Sequence, residues 1–283
     1  MLMSASRLAV RASKVLSAPG DTLGTLGRQI SFYANVYRWT FRAIQRYKKE
    51  ILRLIAEVSL GSGALAVIGG TVAVVVALTG AIGVEVGLQG YSALANVGVE
   101  ALAGFVSSYA NTREGAPVLA GIALTATVGA GFTAQLGAMR VSEEIDALEV
   151  MSVPPIPFLV TTRIIAGAIA VIPLYAMALI GSYAATKIIV TFAFAQSAGT
   201  YDHYFNVFLV PSDILWSFAK ALVMSIFVMS IHCYYGFGTS GGPAGVGEAV
   251  GKAVRTSLIG ILVIDLLMDI AIYGGPSAVH VTG

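Results

Sequence analysis

Between Val58 and Tyr273 the chain carries five apolar runs, each as long, or nearly as long, as a bilayer core is thick: Val58–Val84, Pro117–Ala138, Phe158–Ala185, Ile214–Tyr235 and Leu258–Tyr273. A hydrocarbon core takes about 20 residues of helix to cross. No water is present there to satisfy backbone N–H and C=O groups, so runs of this kind fold as helices. Composition agrees: 57% of the 283 residues are hydrophobic and 11% are charged, against about 25% charged in ordinary soluble domains. The expected fold is an all-α integral membrane protein with about five transmembrane helices, the third bent at Pro173. Residues 86–111 are apolar but contain Glu100 and several glycines. They read as a re-entrant segment, a surface helix or an extension of the neighbouring spans.

The acidic stretch 139–155 (MRVSEEIDALEVMSVPP) is wedged between the second and third runs. Glu143, Glu144, Asp146 and Glu149 belong in water. At helical spacing Ile145, Leu148 and Met151 recur at i, i+3 and i+6, an apolar ridge beside the acids. Two readings fit: a small amphipathic helix on which a soluble partner docks, and a solvated loop joining two spans.

Ten of the 17 basic residues lie in the first 53 positions: Arg7, Arg11, Lys14, Arg28, Arg38, Arg42, Arg46, Lys48, Lys49 and Arg53. The positive-inside rule then places the N-terminus in the cytoplasm and, after five crossings, the C-terminus outside the cytoplasm. Arg140, Arg163, Lys252 and Arg255 fall at cytoplasmic ends, as do the acidic segment and a Gly-rich loop at 236–256. Residues 196–211 become an external loop. The acid-free first twenty residues also resemble a transit peptide. Residues 29–55 read as one amphipathic helix. Arg38, Arg42, Arg46, Lys49 and Arg53 form a stripe, with Tyr33, Tyr37, Ile44, Tyr47, Ile51 and Ile55 roughly opposite. Such a helix lies in the membrane interface, cations toward anionic headgroups, or packs on a neighbouring subunit.

Arg113 and Glu114, Lys220, and Asp265 and Asp269 sit inside or at the edges of spans. An unpaired charge at a helix centre costs roughly 2.5–3.5 kcal/mol, so Lys220 and Asp265, at compatible depths on antiparallel neighbours, are expected to pair. Little else in the chain can do chemistry. Cys233 is the single cysteine, and His203, His232 and His280 are dispersed, so no metal site is expected. Residues 241–252 (GGPAGVGEAVGK) fail as a P-loop. Val246 stands where the first glycine belongs, and Ala253 follows Lys252 where a hydroxyl should hold magnesium. The chain is expected to be no enzyme and to carry no cofactor, with ATP and magnesium on a separate polypeptide if ATP drives it.

The acidic stretch Glu-Glu-Ile-Asp-Ala-Leu-Glu-Val-Met (143–151) with Pro155 resembles the signature of the MlaE/YrbE permeases. Gly-Leu-Gln-Gly-Tyr (87–91) and Arg-Glu-Gly-Ala-Pro (113–117) fit the same family. Tyr-Asp-His-Tyr-Phe (201–205), His-Cys-Tyr-Tyr-Gly (232–236) and the glycine-rich 241–251 resemble its actinobacterial branch, and within it the B-type YrbE subunits of mammalian cell entry (Mce) transporters. The resemblance covers about residues 30–275. It implies a basic tail at 1–28, an interfacial helix at 29–56 and a permease domain at 57–283 with a coupling helix at about 142–152. The implied partners are a second YrbE-type permease subunit, a cytoplasmic ABC ATPase dimer docked on the coupling helix, and hexameric MCE-domain proteins. Lipid and membrane complete the set, and nucleic acid has no place in it. Glu143, Glu144, Ile145, Asp146, Leu148, Glu149 and Met151 would form the coupling surface, with Leu148 and Met151 filling an apolar groove. The implied activity is ATP-driven import of fatty-acid, mycolic-acid or sterol-like lipids across the plasma (inner) membrane. The path would be a cavity lined by the first, second and fifth spans, with Gly61, Gly63, Gly69 and Gly70 allowing close helix approach.

Three positions depart from the family pattern. Thr127 stands where some relatives carry Arg, Gln135 where they carry Glu, and Ser152 where Gly is usual. Two other classes stay open on the residues: an ion-coupled secondary transporter using Asp265, Asp269 and Lys220 as a relay, and a passive scaffold for an MCE ring.

Overall fold

The computed structural model describes residues 27, 29–60 and 70–274. The basic tail, apart from Gly27, and Gly61, Gly63 and Gly69 lie outside the described residues. Among the described residues ten helical elements follow one another: α1 (29–38), α2 (Thr40–Arg46), α3 (Lys48–Leu60), α4 (Gly70–Ala95), α5 (Glu100–Val141), α6 (Glu144–Val150), α7 (Ile156–Ala193), α8 (Ala198–Phe208), α9 (Pro211–Phe237) and α10 (Gly242–Tyr273). No strand occurs among the described residues. Five helices, α4, α5, α7, α9 and α10, are long and apolar enough to cross a membrane. The chain is an all-α integral membrane protein.

The spans differ from the sequence reading at their ends. Among the described residues the first is α4, which starts at Gly70, and Val58 belongs to the separate helix α3. Residues 86–111 neither re-enter nor lie apart: 86–95 finish α4 and 100–111 begin α5. The turn between them uses Gly98 at φ +72°, a left-handed conformation that glycine adopts without strain. The second span therefore begins at Glu100, not Pro117. Most of the supposed Gly-rich loop 236–256 is helix, because α10 starts at Gly242 with Pro243 in its first turn. The supposed external loop contains α8. The third span runs helically through Pro173, and α5 and α7 each contain two π-helical turns.

The long N-terminal helix is broken at Trp39 and Tyr47. Its cationic stripe faces outward, while the expected apolar face is only partly covered, with Tyr37 and Ile44 exposed. Arg38, Arg42, Arg46, Lys49 and Arg53 are all exposed, while Val36, Ala43, Ile51, Leu54 and Val58 are buried. Thr161 Oγ1 of α7 donates to the Val36 carbonyl at 3.3 Å, and Tyr47 meets Phe158 edge-on at 5.3 Å between ring centres. On the outer face Arg53 donates to Glu50 at 2.6 Å and to Glu57 at 3.2 Å, and the first of these bonds holds the Glu50 carboxyl below its ordinary range.

The core sits where α5, α7 and α9 meet, with α4 against α7 and α10 against α5 and α9. The α4–α7 crossing is close because glycine allows it. A Cβ on Gly83 would lie 2.3 Å from the Ser182 carbonyl oxygen, and Thr186 Oγ1 donates to the Gly83 carbonyl at 2.7 Å. Gly83→Ala is expected to destabilise the protein by about 1–3 kcal/mol, seen as a lowered melting temperature in detergent; an unchanged midpoint would contradict this packing. On α10 a single i, i+4 stripe is buried, formed by Ala249, Ala253, Ser257, Ile261 and Asp265. Its remaining surface, including Ile259, Leu262, Leu266 and Ile270, faces outward.

Candidate functional site

Two features stand out against this frame: a rigidly held acidic helix at one end of the bundle, and an ion cluster inside the spans toward the other end.

The acidic helix α6 is seven residues long and bracketed by left-handed residues, Glu143 at φ +60° and Ser152 at φ +59°. Its C-terminal turn closes with Val153 N–H donating to the Leu148 carbonyl and Ser152 N–H to the Glu149 carbonyl, both at 2.9 Å, the paired bonds of a Schellman motif. Glycine is the low-strain residue at the left-handed position of that motif. Ser152→Gly is expected to stabilise the protein by about 1 kcal/mol, raising the thermal midpoint; a lowered midpoint would contradict the assignment.

Ile145 is fully buried and anchors α6 to the core, and Leu148 is half-buried against the same core. Their side chains therefore serve the chain's own fold first. Glu143, Glu144, Asp146 and Glu149 are exposed. Met151 is 63% exposed and Val150, which the apolar ridge did not single out, is 86% exposed. Arg140 pairs with Asp146 at 2.6 Å on the surface, a contact worth about 0–1 kcal/mol. What α6 offers outward is thus a set of carboxylates around two bare apolar side chains. The basic stripe of α1–α3 lies at the same end, since α2 packs on the Ile156–Thr161 turn that follows α6.

The ion cluster joins α5, α9 and α10. Lys220 is fully buried, and its ammonium lies 2.7 Å from Asp265, 2.6 Å from Asp269 and 2.6 Å from the Arg113 carbonyl. The contacts to Asp269 and the Arg113 carbonyl are hydrogen bonds, and the one to Asp265 is an ion pair outside hydrogen-bond geometry. Glu114 stands farther off at 3.9 Å. The expected Lys220–Asp265 pair is present, within a larger group. Arg113 pairs with Asp213 at 2.7 Å, with its guanidinium over the rings of Tyr109 and Tyr273 at 4.3 and 4.1 Å. Asp213 lies just before the fourth apolar run as read from the sequence, which starts at Ile214, whereas the helix begins at Pro211 and carries it. The carboxylate oxygens of Glu114, Asp265 and Asp269 come within 4.8 Å of one another; the cation placed among them is Lys220.

A third polar chain ties the surface helix to the bundle. Arg163, 4% exposed, donates to the Leu159 carbonyl at 2.9 Å and to Gln135 Oε1 at 3.3 Å. Gln135 Nε2 in turn donates to Glu57 at 2.7 Å. Sequence reading assigned Arg163 only a place near a membrane surface.

With this geometry in view, the sequence profile of the family described as Permease MlaE matches residues 61–271, which include the first four spans, nearly all of the fifth, the acidic helix and the charged residues of the ion cluster. The chain belongs to the MlaE permease family. A chloroplast protein of Arabidopsis thaliana named trigalactosyldiacylglycerol 1 is 30% identical over 194 residues, which cover 69% of this chain and 55% of that protein. A protein of Synechocystis named probable ABC transporter permease is 33% identical over 172 residues, 61% of this chain and 65% of its own. One of the same description from Rickettsia prowazekii is 34% identical over 195 residues, 66% and 72% respectively. The chain thus spans less than two thirds of the length of the first two of these relatives.

Proposed function

We propose that this permease is the membrane subunit of an ATP-driven lipid transporter, with α6 as the element on which a separate ATPase docks. The observation that carries the reading is the outward surface of α6: exposed carboxylates around Val150 and Met151, on a helix fixed to the core by Ile145. A helix anchored in this way transmits a push from a partner to α5 and α7, between which it sits. The basic stripe of α1–α3 at the same end supports a cytoplasmic position for α6 under the positive-inside rule. The N-terminal side is then cytoplasmic and the end of α10 lies on the opposite face of the plasma (inner) membrane. The name of the Arabidopsis relative supports a lipid as cargo.

In its finer form the reading is that of a YrbE-type subunit of an Mce system. A second permease subunit completes the transport unit, and hexameric MCE-domain proteins deliver a fatty-acid, mycolic-acid or sterol-like lipid for import. ATP and magnesium are bound by the ATPase chains. The test is affinity purification of the chain from its native membrane in mild detergent. A P-loop ATPase is expected to co-purify with the permease. Recovery of other membrane partners without an ATPase would contradict the reading and favour the ion-coupled alternative, for which Lys220, Asp265 and Asp269 are the relevant residues.

A further inference from the structure

Two turns of α5 are wider than an α-helix, Asn111–Gly115 and Thr125–Gly129. Each meets a fully buried polar side chain of α9, Lys220 at the first and His232 at the second. We infer that the second turn is a hinge and that His232 is the positioning residue that latches it. A push on α6 closes this turn to the α-helical form and turns the inner part of α5 against its outer part. The inference rests on the reading of α6 as the ATPase-docking element and adds how the push is passed on.

The two turns have different causes. At the first, the Ala116 N–H donates to the Asn111 carbonyl, five residues back. In an α-helix the N–H of residue 117 would donate to the Arg113 carbonyl. Residue 117 is Pro, which has no N–H and whose ring crowds that carbonyl. Lys220 supplies the missing donor at 2.6 Å and donates to Asp269 as well. Bonds from an ionised donor are roughly twice as strong as neutral ones. Proline imposes this turn in every conformation, and Lys220 pins it to α9.

At the second turn the Ala130 N–H donates to the Thr125 carbonyl. No proline follows, since residues 130–133 are Ala, Gly, Phe and Thr. His232 holds the turn from outside. Its ring rests on Gly129, where a Cβ would fall 2.7 Å from Nε2, and its Nδ1 lies 2.7 Å from Thr133 Oγ1. The Thr133 hydroxyl has one hydrogen, which goes to the carbonyl of Gly129 or of His232, at 3.2 and 3.1 Å. Nδ1 is then the donor of the pair. Nε2 has no partner. One neutral hydrogen bond and a glycine contact make a weaker joint than Lys220 and Pro117 do, so this turn yields first. Closing it rotates one side of the helix against the other by about 100° and lengthens it by about 1.5 Å, one residue of α-helix. With the outer turn pinned, the displacement falls between Thr125 and α6.

The experiment uses the full permease complex with its ATPase in proteoliposomes. ATP hydrolysis and uptake of radiolabelled lipids extracted from the native membrane are measured together. Gly131 stands to the second turn as Pro117 stands to the first, and a Cβ there meets nothing within 4 Å. Gly131→Pro is therefore expected to fold and to fix the turn open. Hydrolysis stays within about twofold of the unmodified complex, while lipid moved per ATP falls about tenfold. Thr133→Val and His232→Phe keep the shape but remove the latch bond, and are expected to lower that ratio about threefold or more. His232→Asn, whose amide reaches Thr133 from the Nδ1 position, is expected to restore at least half of it. These variants carry the test if Gly131→Pro misfolds. In the unmodified complex, vanadate trapping is expected to change amide exchange in peptides from 125–133 and not in those from 111–117. An unchanged ratio in Gly131→Pro overturns the inference. So does a parallel loss of hydrolysis and transport in the latch variants, which a merely structural role would give, or an exchange change of equal size at both turns. Absence of ATP-dependent lipid uptake by the unmodified complex overturns the transporter reading and the hinge with it.

Discussion

Lys220→Met is expected to destabilise the permease by about 3–5 kcal/mol, the cost of breaking a buried ion pair by removing one partner. The substitution nearly preserves volume, so the loss is electrostatic. Asp265, Asp269 and Glu114 would remain beside one another on α10 and α5 without the ammonium that now separates them, and the Arg113 carbonyl would lose its donor. The measurement is thermal unfolding of purified protein in detergent, together with the monodisperse fraction recovered. A triple variant, Lys220→Met with Asp265→Asn and Asp269→Asn, is expected to recover a substantial part of the loss, because neutral amides can share a site that two carboxylates cannot. A melting temperature for Lys220→Met indistinguishable from that of the unmodified chain would contradict the cluster as described.

The second large effect is on partner binding. Val150→Asp with Met151→Asp is expected to reduce ATPase recovery at least tenfold, equivalent to about 1.4 kcal/mol or more of docking free energy. Both side chains are exposed, so the fold is expected to survive, with an unchanged melting temperature and elution volume. Exposed carboxylates contribute little individually, and buried apolar anchors dominate most interfaces. Single neutralisations of Glu144 or Glu149 are therefore expected to change recovery by less than threefold. Ile145→Asp is the contrasting control: it places a charge in the core and is expected to unfold the α6 region itself. Leu148 is a poor probe, because it packs partly against the chain's own core and its loss would mix folding with docking. Full ATPase recovery with the Val150/Met151 double variant would move the docking surface elsewhere.

The sequence made α6 legible as a helix but not the division of its apolar face. Ile145, Leu148 and Met151 fall on one ridge by periodicity, and periodicity cannot say whether a ridge faces the chain's own core or a partner. The structure divides it: Ile145 goes to the core, Leu148 is shared, and the turn at Ser152 leaves Met151 outside beside Val150. The Lys220–Asp265 pair was readable because two opposite charges inside apolar runs have few stable alternatives. Span ends were read too far inward at 113–117 and 242–256 for one reason. Charges and glycines normally mark the edge of a helix. Here Arg113 is paired within the protein, and the glycines of α10 continue the helix, as membrane helices tolerate more readily than soluble ones. The break of the N-terminal helix at Trp39 and Tyr47 left the stripe pattern intact across all three pieces, so nothing in the periodicity announced it.

We propose that ATP hydrolysed by a partner chain drives lipid movement through this permease. The most direct measurement is lipid transport by the purified complex in proteoliposomes, with ATP supplied and the proton gradient dissipated by a protonophore. Transport that persists, requires ATP and is lost in the Val150→Asp/Met151→Asp complex is the result predicted. Transport that stops with the gradient and ignores ATP would contradict the account.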